Sequence, residues 1–91
     1  MTVSVVAAVA HSVQLNWGAS TTAGVSYNVY RASSIGGGQY VLLNAQPLNA
    51  LSYNDGTVKS GNTYTYAVTA VDANGIQSNF SSPANAAIPV P

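Results

Sequence analysis

Apolar residues in this chain recur at every second position, and turn-forming residues interrupt them about every eight to twelve residues. Successive side chains of an extended strand point to opposite faces, so this alternation specifies strands, whereas a helix needs a period near 3.6. The longest example runs from Thr63 to Val71. Tyr64, Tyr66, Val68 and Ala70 fall on one side, and Thr65, Ala67, Thr69 and Val71 on the other. β-Branched and aromatic residues dominate it, as a pleated, half-buried surface favours. Val13, Leu15 and Trp17 alternate with Gln14 and Asn16 until Gly18 ends the run. Val25, Tyr27 and Val29 form another inward row, opposed by Asn28 and Tyr30.

The interruptions carry their own chemistry. Gly18 to Gly24 is a small, polar loop, and Gly36-Gly37-Gly38 is a flexible turn that a strand interior would not tolerate cheaply. Asn54-Asp55-Gly56 reads as a turn after Leu51 and Tyr53, and Asp72-Ala73-Asn74-Gly75 as a hairpin with Asn-Gly at positive φ. Tyr40 to Leu43 makes a short strand, with Pro47 closing the loop after it. A last strand lies between Ile76 and Ile88, ended by Pro89 and Pro91. The apolar segment from Val3 to Ala10 ends in Ala8-Val9-Ala10, like the tail of a signal peptide. It lacks a basic leader and is too short, so residues 2–9 read as the first strand.

Seven such strands predict an all-β sandwich, with residues 1–91 as one domain and 89–91 as the start of a linker. The predicted core is Val13, Leu15, Trp17, Tyr27, Val29, Tyr64, Tyr66, Val68 and Ala70.

Charge decides which function classes survive. The 91 residues include two cations, Arg31 and Lys59, and two carboxylates, Asp55 and Asp72. A nucleic-acid binder needs clustered Lys and Arg to displace counterions, and a cationic membrane patch needs the same. Neither can be built here. No apolar run approaches the ~20 residues of a membrane-spanning helix, so no membrane insertion is expected. A surface of Ser, Thr, Asn, Gln and Gly points outside the cell. Cysteine is absent, which fits an exported domain that relies on its core rather than on disulfides. Near-zero net charge removes the repulsion that keeps copies apart, so self-association is physically open.

Several stretches together resemble the fibronectin type III family, an immunoglobulin-like sandwich. His11-Ser12-Val13-Gln14-Leu15-Asn16-Trp17 with Ala19-Ser20 is similar to its B strand, and Trp17 would be the core tryptophan. Tyr27-Asn28-Val29-Tyr30-Arg31 resembles strand C, and Gly37-Gly38-Gln39-Tyr40 the turn that follows. Val58-Lys59-Ser60-Gly61-Asn62-Thr63-Tyr64 resembles the segment that presents the tyrosine corner, with Tyr64 as its tyrosine. Val68 to Asp72 is similar to strand F, and Gly75, Ser78 and Ser81 to the start of strand G. The likeness covers about residues 10 to 89, most closely in its bacterial surface and secreted versions. Two features depart from it. Prolines that commonly open strand A are missing before His11, leaving the partner of residues 2–9 open. The turn at Ala73-Asn74-Gly75 has no Arg-Gly-Asp, so integrin binding does not carry over.

Candidate sites are few. Acid–base catalysis needs a carboxylate or histidine tuned by a second group, yet Asp55 and Asp72 are both read into turns, where Asp bonds its own backbone. His11 has no acidic neighbour in sequence and is read as solvated. One histidine without cysteine makes no zinc site. The eleven serines include no Gly-x-Ser-x-Gly elbow, and the glycine run precedes a strand without a lysine, unlike a phosphate loop. No catalytic residue, cofactor or metal is expected.

Tyr30, Tyr40 and Phe80 remain as exposed aromatics once Tyr27, Tyr53, Tyr64 and Tyr66 face inward. A pair formed by Tyr30 and Tyr40 has two readings, a stacking surface for a glycan or packing that covers the sheet. Asn79-Phe80-Ser81 is a glycosylation sequon where the host modifies asparagine.

The chain therefore reads as a non-catalytic spacer or interaction module of a secreted or cell-surface bacterial protein. Its expected partners are neighbouring domains or other proteins. Two alternatives stand beside this: a fibre subunit joined by strand addition through residues 2–9, and a carbohydrate-binding module.

Overall fold

A computed structural model describes residues 3–9, 12–20, 24–33, 39–44 and 47–89. Among them, seven strands occur in the order β1 (Val3–Val9), β2 (Ser12–Trp17), β3 (Ser26–Ser33), β4 (Val41–Leu42), β5 (Ser52–Asp55), β6 (Thr63–Val71) and β7 (Ala84–Ala87). They form two antiparallel sheets, β1-β2-β5 and β4-β3-β6-β7, packed as a sandwich. His11, the Gly36–Gly38 turn and Pro91 lie outside the described residues.

All nine residues of the predicted core are buried, together with Val3, Val58, Ala86 and Ile88. Trp17 from one sheet meets Tyr27 from the other, with ring centroids 5.8 Å apart and a tilt of 58°. Tyr53 is half-buried against the same cluster, and so is Val25, which precedes β3 rather than belonging to it.

β1 finds its partner within the chain. Val3 lies opposite Trp17 and Val9 opposite Ser12, with a bulge between Val5 and Ala7. The segment read as the first strand is thus paired within its own domain, which removes the main support for the alternative of a fibre built by donating it.

Alternation fails on β6. Ala67, Thr69 and Val71 are buried although they face away from the core row. Their cover comes from β3, where Tyr30 sits opposite Ala67 and Asn28 opposite Thr69, and from the segment after the hairpin. That segment hugs the far edge of β6 without being a regular strand. Ser78 and Ser81 donate their backbone N–H groups to the carbonyls of Ala70 and Val68, both at 2.8 Å. Their Oγ atoms accept the N–H groups of the same two residues at 2.9 Å. Each serine supplies through its side chain the acceptor that a strand carbonyl would otherwise provide.

The hairpin before it is held by Asp72, whose Oδ1 accepts from the N–H of Asn74 at 2.9 Å and of Ile76 at 3.0 Å. Gly75 has a φ of 81°, a conformation that an L side chain adopts only under strain.

The outer edge of β3 is tiled by pieces. β4 contributes two residues, the Asn44 side chain accepts the Val29 N–H at 2.7 Å, and Leu48 exchanges two 2.8 Å bonds with Tyr27. Tyr40 and Leu43, read into this strand from sequence, flank it instead.

Removing the large ring at the sheet interface leaves a void that the neighbouring Tyr27 cannot fill. Trp17→Ala is expected to cost about 3–5 kcal/mol in denaturant unfolding, while the exposed Leu51→Ala stays within about 0.5 kcal/mol. Equal midpoints for the two variants would show that the core lies elsewhere.

Candidate functional site

Two constellations hold most of the polar chemistry. The first joins the sheets at one end. Asp55, read as a turn residue, is instead the last residue of β5 and only 2% exposed. The Asn54-Asp55-Gly56 signal was half right: Asp55 Oδ1 accepts the N–H of Thr57 at 3.0 Å and its hydroxyl at 2.6 Å, a local bond of the kind turns use. The other carboxylate oxygen reaches across the sandwich, accepting from Tyr66 Oη at 2.7 Å and Arg31 at 2.9 Å. Arg31 continues the inward row of Tyr27 and Val29, and its guanidinium lies 4.8 Å from the centre of the Tyr64 ring. The sequence offered no sign of this pairing, because its members are 24 and 11 positions from Asp55.

Burial alone would raise the Asp55 pKa, but donors from Thr57, Tyr66 and Arg31 outweigh it and hold the carboxyl below its ordinary value. Burial, and then the bond to this carboxylate, push the Tyr66 phenol far above the usual tyrosine range. The ionised Asp55 carboxylate thus ties the two sheets together. Asp72 is committed to its hairpin, and the described residues contain no group of three His, Cys, Asp or Glu side chains able to hold a metal.

The second constellation lies on the outer face of the larger sheet, and it collects the three aromatics singled out from sequence. Tyr30 and Tyr40 meet through Phe80: the Phe80 ring stacks on Tyr40 at 4.8 Å and meets Tyr30 edge-on at 5.1 Å. Phe80 stands on the segment bonded to one edge of β6 and Tyr30 on the strand at the other. Their rings therefore meet over β6, where Tyr30 is in register with the small, buried Ala67. Packing that covers the sheet is thus present, yet Phe80 stays 50% exposed. Beside it runs a groove of about 390 Å³ lined by Tyr30, Thr69, Gln77, Ser78, Asn79 and Phe80.

Gln77 organises this face, and sequence reading missed it. Its Oε1 accepts from Tyr30 Oη at 2.7 Å, Thr69 Oγ1 at 2.7 Å and Asn28 Nδ2 at 3.2 Å. Asn28 was read as facing outward; it does, but it is buried beneath these groups.

No family model matches the chain. An Fn3-like protein of Clostridium thermocellum, however, superimposes with a TM-score of 0.74 at 31% identity, over 98% of this chain and 93% of that one. The chain belongs to the fibronectin type III family.

In this fibronectin type III domain Tyr64 forms a tyrosine corner. Its hydroxyl accepts from the Lys59 N–H at 3.0 Å and from Asn62 Nδ2 at 3.4 Å. Burial works against ionisation of Tyr64, but those donors and the nearby Arg31 charge lower its pKa on balance. Among curated proteins, the chain is 44% identical over 69 residues to an amylopullulanase of Thermoanaerobacter thermohydrosulfuricus. It is 36% identical over 83 residues to a poly(3-hydroxybutyrate) depolymerase of Delftia acidovorans. The chain spans 4% and 15% of the lengths of these two relatives.

The Asp55 junction predicts an acid dependence. The folded state holds this carboxyl below its unfolded value, so as pH falls the unfolded chain takes up the proton first. The contribution is complete above about pH 5 and is lost as pH falls through about 4 towards the lower folded value. Asp55→Asn should flatten that acid limb in urea titrations and lower stability at pH 7 by about 1–3 kcal/mol. An unchanged acid limb would remove Asp55 as its source.

Proposed function

We propose that this domain is a non-catalytic module of a secreted or cell-surface bacterial protein, holding other domains at a set distance and offering a surface for contacts. The observation that carries the reading is the size of the match: the related segment is 4% of one enzyme and 15% of another. A segment shared with an amylopullulanase and a poly(3-hydroxybutyrate) depolymerase supports a role separate from either chemistry. Support also comes from the site, because Asp55 and Asp72 are both engaged in holding the fold. Both relatives are named for attack on polymers, and a polymer outside the cell is reached only by an exported protein. The surface, nearly free of charge, agrees with that location.

As a spacer the domain is a stiff body with extents of 42 × 24 × 21 Å. The described residues make one such unit. Its partners are then the flanking domains, with no nucleic acid among them.

The isolated chain is expected to release no sugar from pullulan and no hydroxyacid from poly(3-hydroxybutyrate), and to scatter light as a monomer over a wide concentration range. Hydrolysis by the purified chain that Asp55→Asn or Asp72→Asn abolishes, with the fold retained, would overturn the non-catalytic reading. A mass rising with concentration would return the assembly alternative.

A further inference from the structure

The hydrogen-bond polarity of the outer face can be followed from the core to the surface. A backbone N–H can only donate, so the Val29 N–H requires an oxygen opposite it, and Asn44 presents Oδ1 there at 2.7 Å. The orientation of Asn44 is thereby fixed, and its Nδ2 donates to Asn28 Oδ1 at 3.0 Å. Asn28 must then donate with Nδ2, which it does to Gln77 Oε1 at 3.2 Å. Two hydroxyls, from Tyr30 and Thr69, donate to the same oxygen. The Gln77 backbone is tied down as well, by a bridge to Val71. What remains is the Gln77 amide nitrogen, which bonds no described residue; Gln77 is exposed and, with Phe80, is among the residues that line the groove. Three amides in series thus turn one buried N–H into a rigid, outward donor pair.

We propose that this groove, formed by Gln77, Asn79, Phe80 and Tyr30, binds a neutral saccharide chain. No lining residue is charged, so the site has nothing with which to select an ion. It offers an exposed aromatic surface, the fixed donors of Gln77, and the exposed Asn79 amide, which both donates and accepts. A pyranose is complementary on each count, with an apolar C–H face for the ring and hydroxyls that accept and donate at its rim. A polyester carries acceptors alone and leaves the Asn79 oxygen unmatched. A peptide adding as a strand needs a free edge, and Ser78 and Ser81 already occupy this edge of β6. The volume, about 390 Å³, falls in the range of small-ligand sites, and the shallow, open form suits a chain lying across it. Because Gln77 is held in place before any ligand arrives, little ordering opposes binding.

The inference rests on the non-catalytic reading but fails separately, since hydrolysis and binding are measured in different assays. The experiment is a nitrogen–proton correlation titration of the full chain with neutral gluco-, xylo- and manno-hexasaccharides, in α- and β-linked forms where they exist. A hydroxybutyrate oligomer and an oligogalacturonate serve as comparators. At least one neutral hexasaccharide should move the Gln77 side-chain amide signals and the Ser78–Phe80 backbone signals to saturation at millimolar concentration. Gln77→Glu keeps the oxygen that Asn28, Tyr30 and Thr69 need while deleting the donors. It and Phe80→Ala should each weaken binding about tenfold with the remaining spectrum retained. Absence of saturable shifts on this face overturns the proposal. So does binding that neither variant alters, or binding confined to the polyester or the charged oligomer.

Discussion

A carboxylate placed where two sheets meet stays ionised only if donors surround it, and Asp55 draws them from three elements at once. The apolar contacts between the sheets are not directional; they reward closeness without fixing how far one sheet slides over the other. Bonds of 2.7 to 2.9 Å from Tyr66 and Arg31 to a residue of the opposite sheet do fix that offset. Tyr64 adds a second directional tie close by, through the Lys59 N–H. The placement of Trp17 against Tyr27, and of Val29 and Val68 within the interior, follows from an offset set at this end of the sandwich. It also explains why one of only two cations and one of only two carboxylates are used here, rather than on the surface.

Scarcity of charge shapes the outer face in the same way. A protein with more Lys and Glu covers a sheet with long side chains whose ends reach water. This chain covers it with three aromatic rings and a relay of Asn44, Asn28 and Gln77. Neutral groups can be buried beside one another without the desolvation that ions suffer, provided every donor meets an acceptor. Once the inner end of the relay is set by a backbone group, its outer end has a defined polarity. A feature needed for folding therefore gives the surface a recognisable chemical character, which the fold alone does not specify.

What the sequence discloses follows the range of the interactions involved. Alternation places β2, β3 and β6, because each periodic run is local and its apolar side must be buried. The tyrosine corner comes instead from the family resemblance of the Val58–Tyr64 segment, and its partners lie two and five positions away. The aromatic trio was recognisable by elimination, since four other tyrosines are needed inside, but not the role of Phe80 as the ring between the other two. That role depends on a segment with no strand periodicity, whose path is set by Ser78 and Ser81. The junction at Asp55 and the relay through Gln77 were not legible at all. Each joins residues from different sheets or distant loops, and Asp and Asn are so common in turns that a local explanation lies close at hand. The burial of Ala67, Thr69 and Val71 escaped for a related reason, because it depends on what crosses over β6 and not on β6 itself.

The serine pairs along β6 have a further consequence. Proteins usually keep open strand edges from recruiting other molecules by placing lysine there, and this chain has a single lysine, outside every strand. Its defence against amyloid-like stacking is geometric instead. Beyond β7, the edge of β6 is closed by side-chain hydroxyls, β4 is two residues long, and β1 is broken by its bulge. Among the described residues the outer edges are thus short or interrupted, a geometry that works against edge-to-edge pairing in a chain without net charge.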